Sequence, residues 1–380
     1  MADPRQAIRV AMVTNIPAPY RIPVYERLAA DPDLDLHLVY CSGAEPDRAW
    51  QLQGGQFAKV FLKERFWTVK GRFIHFNPDV WTALRRIRPQ VVVTTGYNPT
   101  HLLAFLYAGL HGAAHVVMTD GTQVSEAGYS WAHRLVRRVV FAGSAAFVGA
   151  SQGAMALFAQ YGVPAGRTFK SHLCADNVLY ERAAVVPKRY DLLFSGRMVG
   201  IKNPFFVLDV ARALAARLKR RVSVAFLGSG DLQPELKARA EALASELEVS
   251  FPGFIQQADL PDYYGAARVF LFPTSWDPWG VVANEACAAG VPVLVTPQAG
   301  VSGDLIVDGD NGWILPLDVS TWAQRCEQLL TDPDLYARLS RQARQRVQPF
   351  NFDAAASGLK AAVCLAVRGD QAPGGKGGAR

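Results

Sequence analysis

The sequence predicts an α/β fold in two domains, each a parallel sheet with helices on both faces, and three observations carry the prediction. Apolar, β-branched runs of strand length alternate with helix-length segments over residues 8–173, and a second alternation begins at Asp191. That is the rhythm of strand–helix–strand units, not of hairpins. A chain of 380 residues is long for one core and sufficient for two. Half of the residues are hydrophobic and 19% are charged, which excludes a disordered chain.

In the first half, residues 8–14 read as the opening strand, followed by the loop Asn15-Ile16-Pro17-Ala18-Pro19-Tyr20-Arg21 and a helix over 22–30. Ligands meet an open α/β sheet at loops on the carboxyl ends of its strands. Tyr20 and Arg21 are therefore candidate ligand contacts, against the plainer reading of a helix-entry turn with a surface arginine. Residues 34–41 read as the second strand. Residues 57–88 then interleave Lys59, Lys63, Arg65, Arg85 and Arg86 with Phe61, Phe66, Trp67, Phe73 and Trp81. Such a run suits an interfacial surface, or else an amphipathic helix and a loop whose rings enter the core. Strand and helix pairs follow at 90–95 with 100–110, 114–119 with 131–141, and 145–150 with 154–160, and 168–173 closes the set. Asp120 follows the strand 116–119, and is a candidate for touching a ligand or for capping a turn.

Residues 180–189 read as a linker, so the first domain is expected over 1–185 and the second over 190–350. After the strand 192–195 come Arg197 and Lys202, and Asn203-Pro204 starts a helix. The strand 222–227 leads to Gly228-Ser229-Gly230-Asp231, a tight turn with Asp231 capping the next helix. The strand 250–255 ends in Gly253-Phe254-Ile255. At 270–296 a strand, a polar loop with prolines, a small-residue helix and a buried strand succeed one another. Asp277 and Glu285 stand eight positions apart there, too far to share one hydrogen bond but able to bracket an elongated ligand. Between them, Gly280 and the first helical amides, beginning at Val281, offer N–H groups to phosphate. Helices follow at 321–330 and 334–347, a last helix at 353–368, and the tail 369–380 has too little to bury to be ordered.

The acid, seven residues, acid spacing with the Ala/Gly-rich helix and "GVPVLVT" resembles the donor site of retaining glycosyltransferases of the GT-B fold, family four. The resemblance extends over residues 189–318, through "FSGRMVGIKNP", "FLGSGD", "FPGFI" and "GDNGWILP" in order. It implies two Rossmann-like domains facing a central cleft, the last helix crossing back to complete the first. It also implies a nucleoside diphosphate sugar as co-substrate: Glu285 on the ribose, Gly228, Gly230, Gly253, Phe254 and Ile255 along the nucleoside, and Gly280 and Val281 on the phosphates. Arg197 and Lys202 would stabilise the departing diphosphate, Asp277 would meet the sugar, and Asp120 stands where relatives carry a histidine. The first acid is commonly Glu in the family and is Asp here, so the sugar is not carried over.

Net charge is +7, and residues 1–170 account for all of it, with 18 Lys/Arg against 11 Asp/Glu. The first domain is expected to meet something anionic. No helix-turn-helix, finger or RNP-like signature supports nucleic acid, and a polyprenyl-linked acceptor, a glycan or a membrane surface fits better. The five cysteines show no metal-site spacing, so no metal or cofactor is expected. The first residues lack a signal-peptide pattern, and no apolar run reaches the roughly 18 residues of a membrane span. A cytoplasmic protein is expected, peripheral at a membrane if the basic, aromatic run binds lipid. A sugar-nucleotide epimerase or phosphorylase, and a non-catalytic nucleotide-binding subunit, remain the rival readings.

Overall fold

The computed structural model describes residues 7–44, 55–69 and 72–370. The chain divides into two units, Met1–His172 with Phe352–Arg380, and Leu173–Asn351. Residues 371–380 of the expected tail lie outside the described residues.

The boundary differs from the expected 185–190. Residues Val178–Val185 form a 3-10 helix with Tyr180 and Ala183 buried. Gly265 packs so closely beneath it that a Cβ there would lie 2.7 Å from the Ala183 carbonyl oxygen. This close packing commits to the second unit a segment that the sequence suggested as a linker.

The first unit runs β1 (Ile8–Thr14), α1 (Ile22–Ala29), β2 (Leu34–Tyr40), β3 (Ala58–Phe61), β4 (Phe66–Val69), β5 (Arg72–His75), α2 (Val80–Ile87), β6 (Val91–Thr94), α3 (Pro99–His111), β7 (Ala114–Thr119), α4 (Gln123–Glu126), α5 (Trp131–Ala142), β8 (Ala146–Gly149), α6 (Gln152–Gln160) and β9 (Thr168–Lys170). Seven strands pair in parallel in the order β3-β2-β1-β6-β7-β8-β9. β6 and β8 are buried along their whole length, which is why they read as unbroken apolar runs. Right-handed crossovers place α3, α5 and α6, all stepping toward β9, on one face, and α1, stepping the other way, on the opposite face.

The run 57–88 forms edge strand β3, the antiparallel hairpin β4–β5 and helix α2, where the sequence suggested one helix and a loop. Its rings partly pack on one another: Phe66 on Phe73 at 5.3 Å, and Trp67 on Phe76 at 5.7 Å.

The second unit runs β10 (Tyr190–Ser195), α7 (Pro204–Leu218), β11 (Val222–Leu227), α8 (Gln233–Ala242), β12 (Leu247–Gly253), α9 (Leu260–Gly265), β13 (Ala267–Phe272), α10 (Val281–Ala288), β14 (Val293–Val295), β15 (Gly312–Ile314), α11 (Val319–Thr331) and α12 (Pro333–Val347). Its six parallel strands lie in the order β12-β11-β10-β13-β14-β15, the doubly wound arrangement. Leu192, Phe194, Val224, Phe226, Val269 and Leu271 form the sheet side of its core. α13 (Phe352–Asp370) then belongs to the first unit, where it packs on α1 and on β7, β8 and β9. Lys360 holds it to Asp31 and Asp33 at 2.6 and 2.8 Å, and Gly358 lets it pass where a Cβ would lie 1.8 Å from the Lys170 carbonyl oxygen. α13 is apolar and long, but its apolar residues, such as Ala355, Leu359, Ala362 and Val363, are buried in the protein.

Candidate functional site

In the second sheet the strand order reverses at β10 and β13, so the loops leaving their carboxyl ends diverge and open a crevice. The two loops are clasped at their base. Ser275 N–H and Thr274 Oγ1 donate to the Ile201 carbonyl at 2.8 and 3.1 Å, and Asn203 Nδ2 donates to the Pro273 carbonyl and Ser275 Oγ at 2.7 and 2.8 Å. Asn203 takes φ +50°, a left-handed conformation that asparagine tolerates better than most residues.

The clasp brings Lys202 onto Asp277. Lys202 Nζ pairs with Asp277 Oδ2, with side chains 17% and 16% exposed, and Asp277 Oδ1 accepts from the Trp279 N–H at 3.0 Å. The sequence had given Lys202 to phosphates and Asp277 to the sugar as separate contacts. The fold makes them one ion pair, 75 residues apart in the chain, so no local pattern could disclose it.

Gly280 then starts α10 with φ +110°, and a Cβ there would lie 2.4 Å from the Phe272 ring. Only glycine meets both demands. No side chain caps this helix, and since Ala283 N–H already donates to the Gly280 carbonyl at 2.8 Å, the amides of Val281 and Val282 are the ones placed to meet an anion, together with the positive end of the helix dipole. Trp279 fixes the approach, being fully buried with Nε1 donating to Asn284 Oδ1 at 2.6 Å.

Glu285 lies deeper in α10. It is buried, accepts from Tyr264 Oη at 2.7 Å, and desolvation pushes its carboxyl up to about 7. The Tyr180 hydroxyl is buried beside this carboxyl but completes no well-aligned hydrogen bond. Tyr264, 21 residues before Glu285, is a member of the site that sequence reasoning missed.

Arg197 is exposed on the loop after β10. Behind it the loop after β11 comes into backbone contact: Gly196 N–H donates to the Leu227 carbonyl at 3.0 Å, and Met198 N–H to the Ser229 carbonyl at 2.8 Å. A Cβ on Gly228 would lie 2.2 Å from the Gly196 oxygen, and one on Gly230 2.5 Å from the Met198 oxygen. These glycines therefore serve the support of the Arg197 loop, a reason the sequence reading did not give. Gly228 N–H continues to the Gly253 carbonyl at 2.8 Å, placing Gly253, exposed Phe254 and half-buried Ile255 at the same sheet end. Asp231 does not cap α8, whose N-cap is Leu232. Gly228→Ala is expected to destabilise the protein by about 2 kcal/mol, since φ +110° and the close approach both oppose a Cβ. A urea midpoint equal to wild type would refute the support role.

In the first unit, a cavity of about 190 Å³ lies at the carboxyl ends of β1, β6 and β7, lined among others by Thr14, Tyr20, Arg21, Thr95 and Asp120. The structure thus brings Tyr20, Arg21 and Asp120 together. Arg21 is not the open contact the sequence suggested. It is 5% exposed, donating to Ser171 O and Oγ at 3.2 Å each, to the His172 carbonyl at 3.4 Å and to Asp120 Oδ1 at 3.3 Å. It fixes Asp120, whose side chain is 40% exposed. His101 and His115 are buried, and desolvation lowers both imidazoles to about 3, so they are neutral. Among the described residues no group of three His, Cys, Asp or Glu is placed to hold a metal ion.

The family of glycosyl transferases group 1 matches residues 181–346. A D-inositol 3-phosphate glycosyltransferase of Streptomyces bingchenggensis is 32% identical over 200 residues, 50% of this chain and 43% of that protein. A glycogen synthase of Mycobacterium tuberculosis is 31% identical over 188 residues, 48% of this chain and 44% of that protein. The chain spans less than half the length of these curated relatives. The crystal structure of Anabaena HepE in complex with UDP and glucose matches with a TM-score of 0.72 at 16% identity, over 93% of this chain and 98% of that one. That likeness is one of fold.

Proposed function

We propose that the protein, whose residues 181–346 match the family of glycosyl transferases group 1 and whose fold is that of GT-B glycosyltransferases, moves a sugar from a nucleoside diphosphate sugar to a glycan or lipid-linked acceptor, with retained configuration. The product would be a bacterial polysaccharide or glycolipid. The observation that carries the reading is the crevice of the second sheet, where the uncapped start of α10 lies beside the Lys202–Asp277 pair. A helix N-terminus and a lysine are the groups a diphosphate needs, and a carboxylate beside them suits a sugar hydroxyl.

In this mechanism the bond from the anomeric carbon to the diphosphate breaks as the acceptor oxygen bonds to that carbon. Negative charge gathers on the departing diphosphate oxygen, and that oxygen takes the acceptor hydroxyl's proton. Lys202 exchanges part of its hold on Asp277 for that oxygen, Arg197 adds a second cation, and the α10 amides receive the remaining charge. Glu285 accepts from the ribose hydroxyls. Asp120, held by Arg21, meets the acceptor hydroxyl or the sugar.

The first test is a thermal-shift panel of nucleoside diphosphate sugars, beginning with UDP-sugars because HepE was solved with UDP. Transfer with the anomeric configuration of the product read by NMR follows. No shift with any donor overturns the reading, an inverted product overturns retention, and turnover that requires free phosphate or no acceptor favours a phosphorylase or an epimerase.

Asp277→Asn should lower turnover by about 10–100-fold, because a carboxylate acceptor for the sugar becomes a weaker neutral one. Affinity for the free nucleoside diphosphate should hold or rise, since Lys202 loses its competing anion. A parallel loss of nucleotide affinity would move Asp277 to a purely structural role.

A further inference from the structure

On the first unit, α2, α3 and α5 contain five arginines, Arg85, Arg86, Arg134, Arg137 and Arg138, and no Asp or Glu. Four of the five are exposed; Arg137 alone is buried, paired with Glu126 at 2.6 Å. The same helices hold out large apolar side chains: Leu106 (52% exposed) and Leu110 (73%) on α3, and Trp131 (76%), Leu135 (52%) and Val139 (55%) on α5.

The spacing decides their geometry. Leu106 and Leu110 are four apart, as are Trp131, Leu135 and Val139, so each set forms a stripe along one side of its helix. Arg134 and Arg138, also four apart, run beside the α5 stripe. α3 and α5 cross on the same face of the sheet and join through one cluster containing Leu102, Phe105, Val136, Val140 and Phe141. α2 packs on α3. The result is one face with apolar ridges and basic flanks.

We propose that this face docks on an anionic lipid bilayer, with Trp131, Leu135, Val139, Leu106 and Leu110 entering the headgroup boundary and Arg85, Arg86, Arg134 and Arg138 meeting lipid phosphates. A surface of uniform negative charge is what an acid-free, arginine-flanked face complements, and a tryptophan at a helix end suits the boundary between headgroups and chains. A cavity of about 880 Å³ between α5 and α6, lined among others by Arg134, Arg138, Arg167, Tyr161 and Glu126, whose carboxylate is paired with Arg137, adds room for a phosphate-bearing headgroup at the edge of this face. The run 57–88, which first suggested a membrane, contributes only Arg85 and Arg86. Its exposed rings, Phe61 and Trp67, belong to β3 and β4 and not to these helices.

The test is cosedimentation of the full chain with vesicles of phosphatidylcholine alone or with 30 mol% phosphatidylglycerol, a composition chosen at about one anionic lipid in three to give a strong surface potential. Binding should be confined to the anionic vesicles and should fall as salt screens the arginines. Arg134→Gln/Arg138→Gln should weaken partitioning about 30-fold, about 1 kcal/mol per cation. Trp131→Ala/Leu135→Ser should weaken it by about tenfold or more, while Phe61→Ala/Trp67→Ala leaves it unchanged. Donor-induced thermal shift, unchanged in every variant, separates this surface from the proposed sugar-transfer site and reports correct folding. Equal binding to neutral vesicles, or wild-type binding by both α5 variants, overturns the proposal. A concentration-dependent dimer abolished by Trp131→Ala/Leu135→Ser, without vesicle binding, reassigns the face to self-association.

Discussion

Lys202→Ala should lower single-turnover transfer at saturating donor by about 10²–10³, the usual loss on removing one preorganised electrostatic contact to a developing charge. Charge on the departing diphosphate is greater in the transition state than in the bound donor, so the loss falls on turnover more than on affinity. The ion pair adds a second effect. Asp277 and Lys202 are each about five-sixths buried at their side chains, and removing the lysine leaves without its counter-charge a carboxylate that still accepts from the Trp279 N–H. A stability loss of about 1–2 kcal/mol follows. Arg197→Ala should cost a similar factor in turnover, but it is exposed and should leave urea unfolding within about 0.5 kcal/mol of wild type. The double variant should lose less than the product of the two factors, because both cations act on one leaving group. Normal single-turnover rates in a folded Arg197→Ala protein would sink its assignment, and an unchanged midpoint in Lys202→Ala would mean that the ion pair adds nothing to stability.

Glu285→Gln should stabilise the protein increasingly as pH rises. The folded state holds the Glu285 carboxyl at about 7, against an ordinary value of 4.5, because burial disfavours its charge. Between those values the folded state binds a proton that the unfolded chain has lost, so stability falls as pH climbs through this window and stays lowered above it. The interval corresponds to roughly 3 kcal/mol. Glutamine keeps an acceptor for Tyr264 Oη but carries no charge, so the advantage of Glu285→Gln over wild type should grow by about 2–3 kcal/mol between pH 5 and pH 8. Urea titrations across that range measure it. A difference independent of pH would show that Glu285 is solvated in the folded protein. The same substitution should weaken donor binding if the ionised carboxylate accepts from the ribose, which makes stability and binding move in opposite directions.

The stretches that the sequence identified well are those whose signal is local. β1, β7 and β11 begin within a residue of their expected starts, because an apolar run between loop residues specifies a buried parallel strand without reference to the rest of the chain. The α10 start was legible for the same reason: Gly280 and the small-residue run after it are a contiguous pattern. The hairpin β4–β5 was not, since interleaved charges and rings obscure the period of two, and the pairing depends on ring contacts formed only across the turn.

The sequence by itself determined the parallel α/β rhythm and the list of groups able to handle a diphosphate. Tertiary structure alone decided what each group does. Asp277 finds Lys202 across 75 residues, Glu285 finds Tyr264, and Arg21 turns from solvent to Ser171 and Asp120. Gly228 and Gly230 are required by the oxygens of Gly196 and Met198 on a neighbouring loop. The exposed ridge of α5 likewise became visible only once the sheet had buried Val140 and Phe141 and left Trp131, Leu135 and Val139 outside. Hydrophobic period is written in consecutive residues, whereas ion pairs, desolvation and close backbone approach arise between segments that only the folded chain brings together.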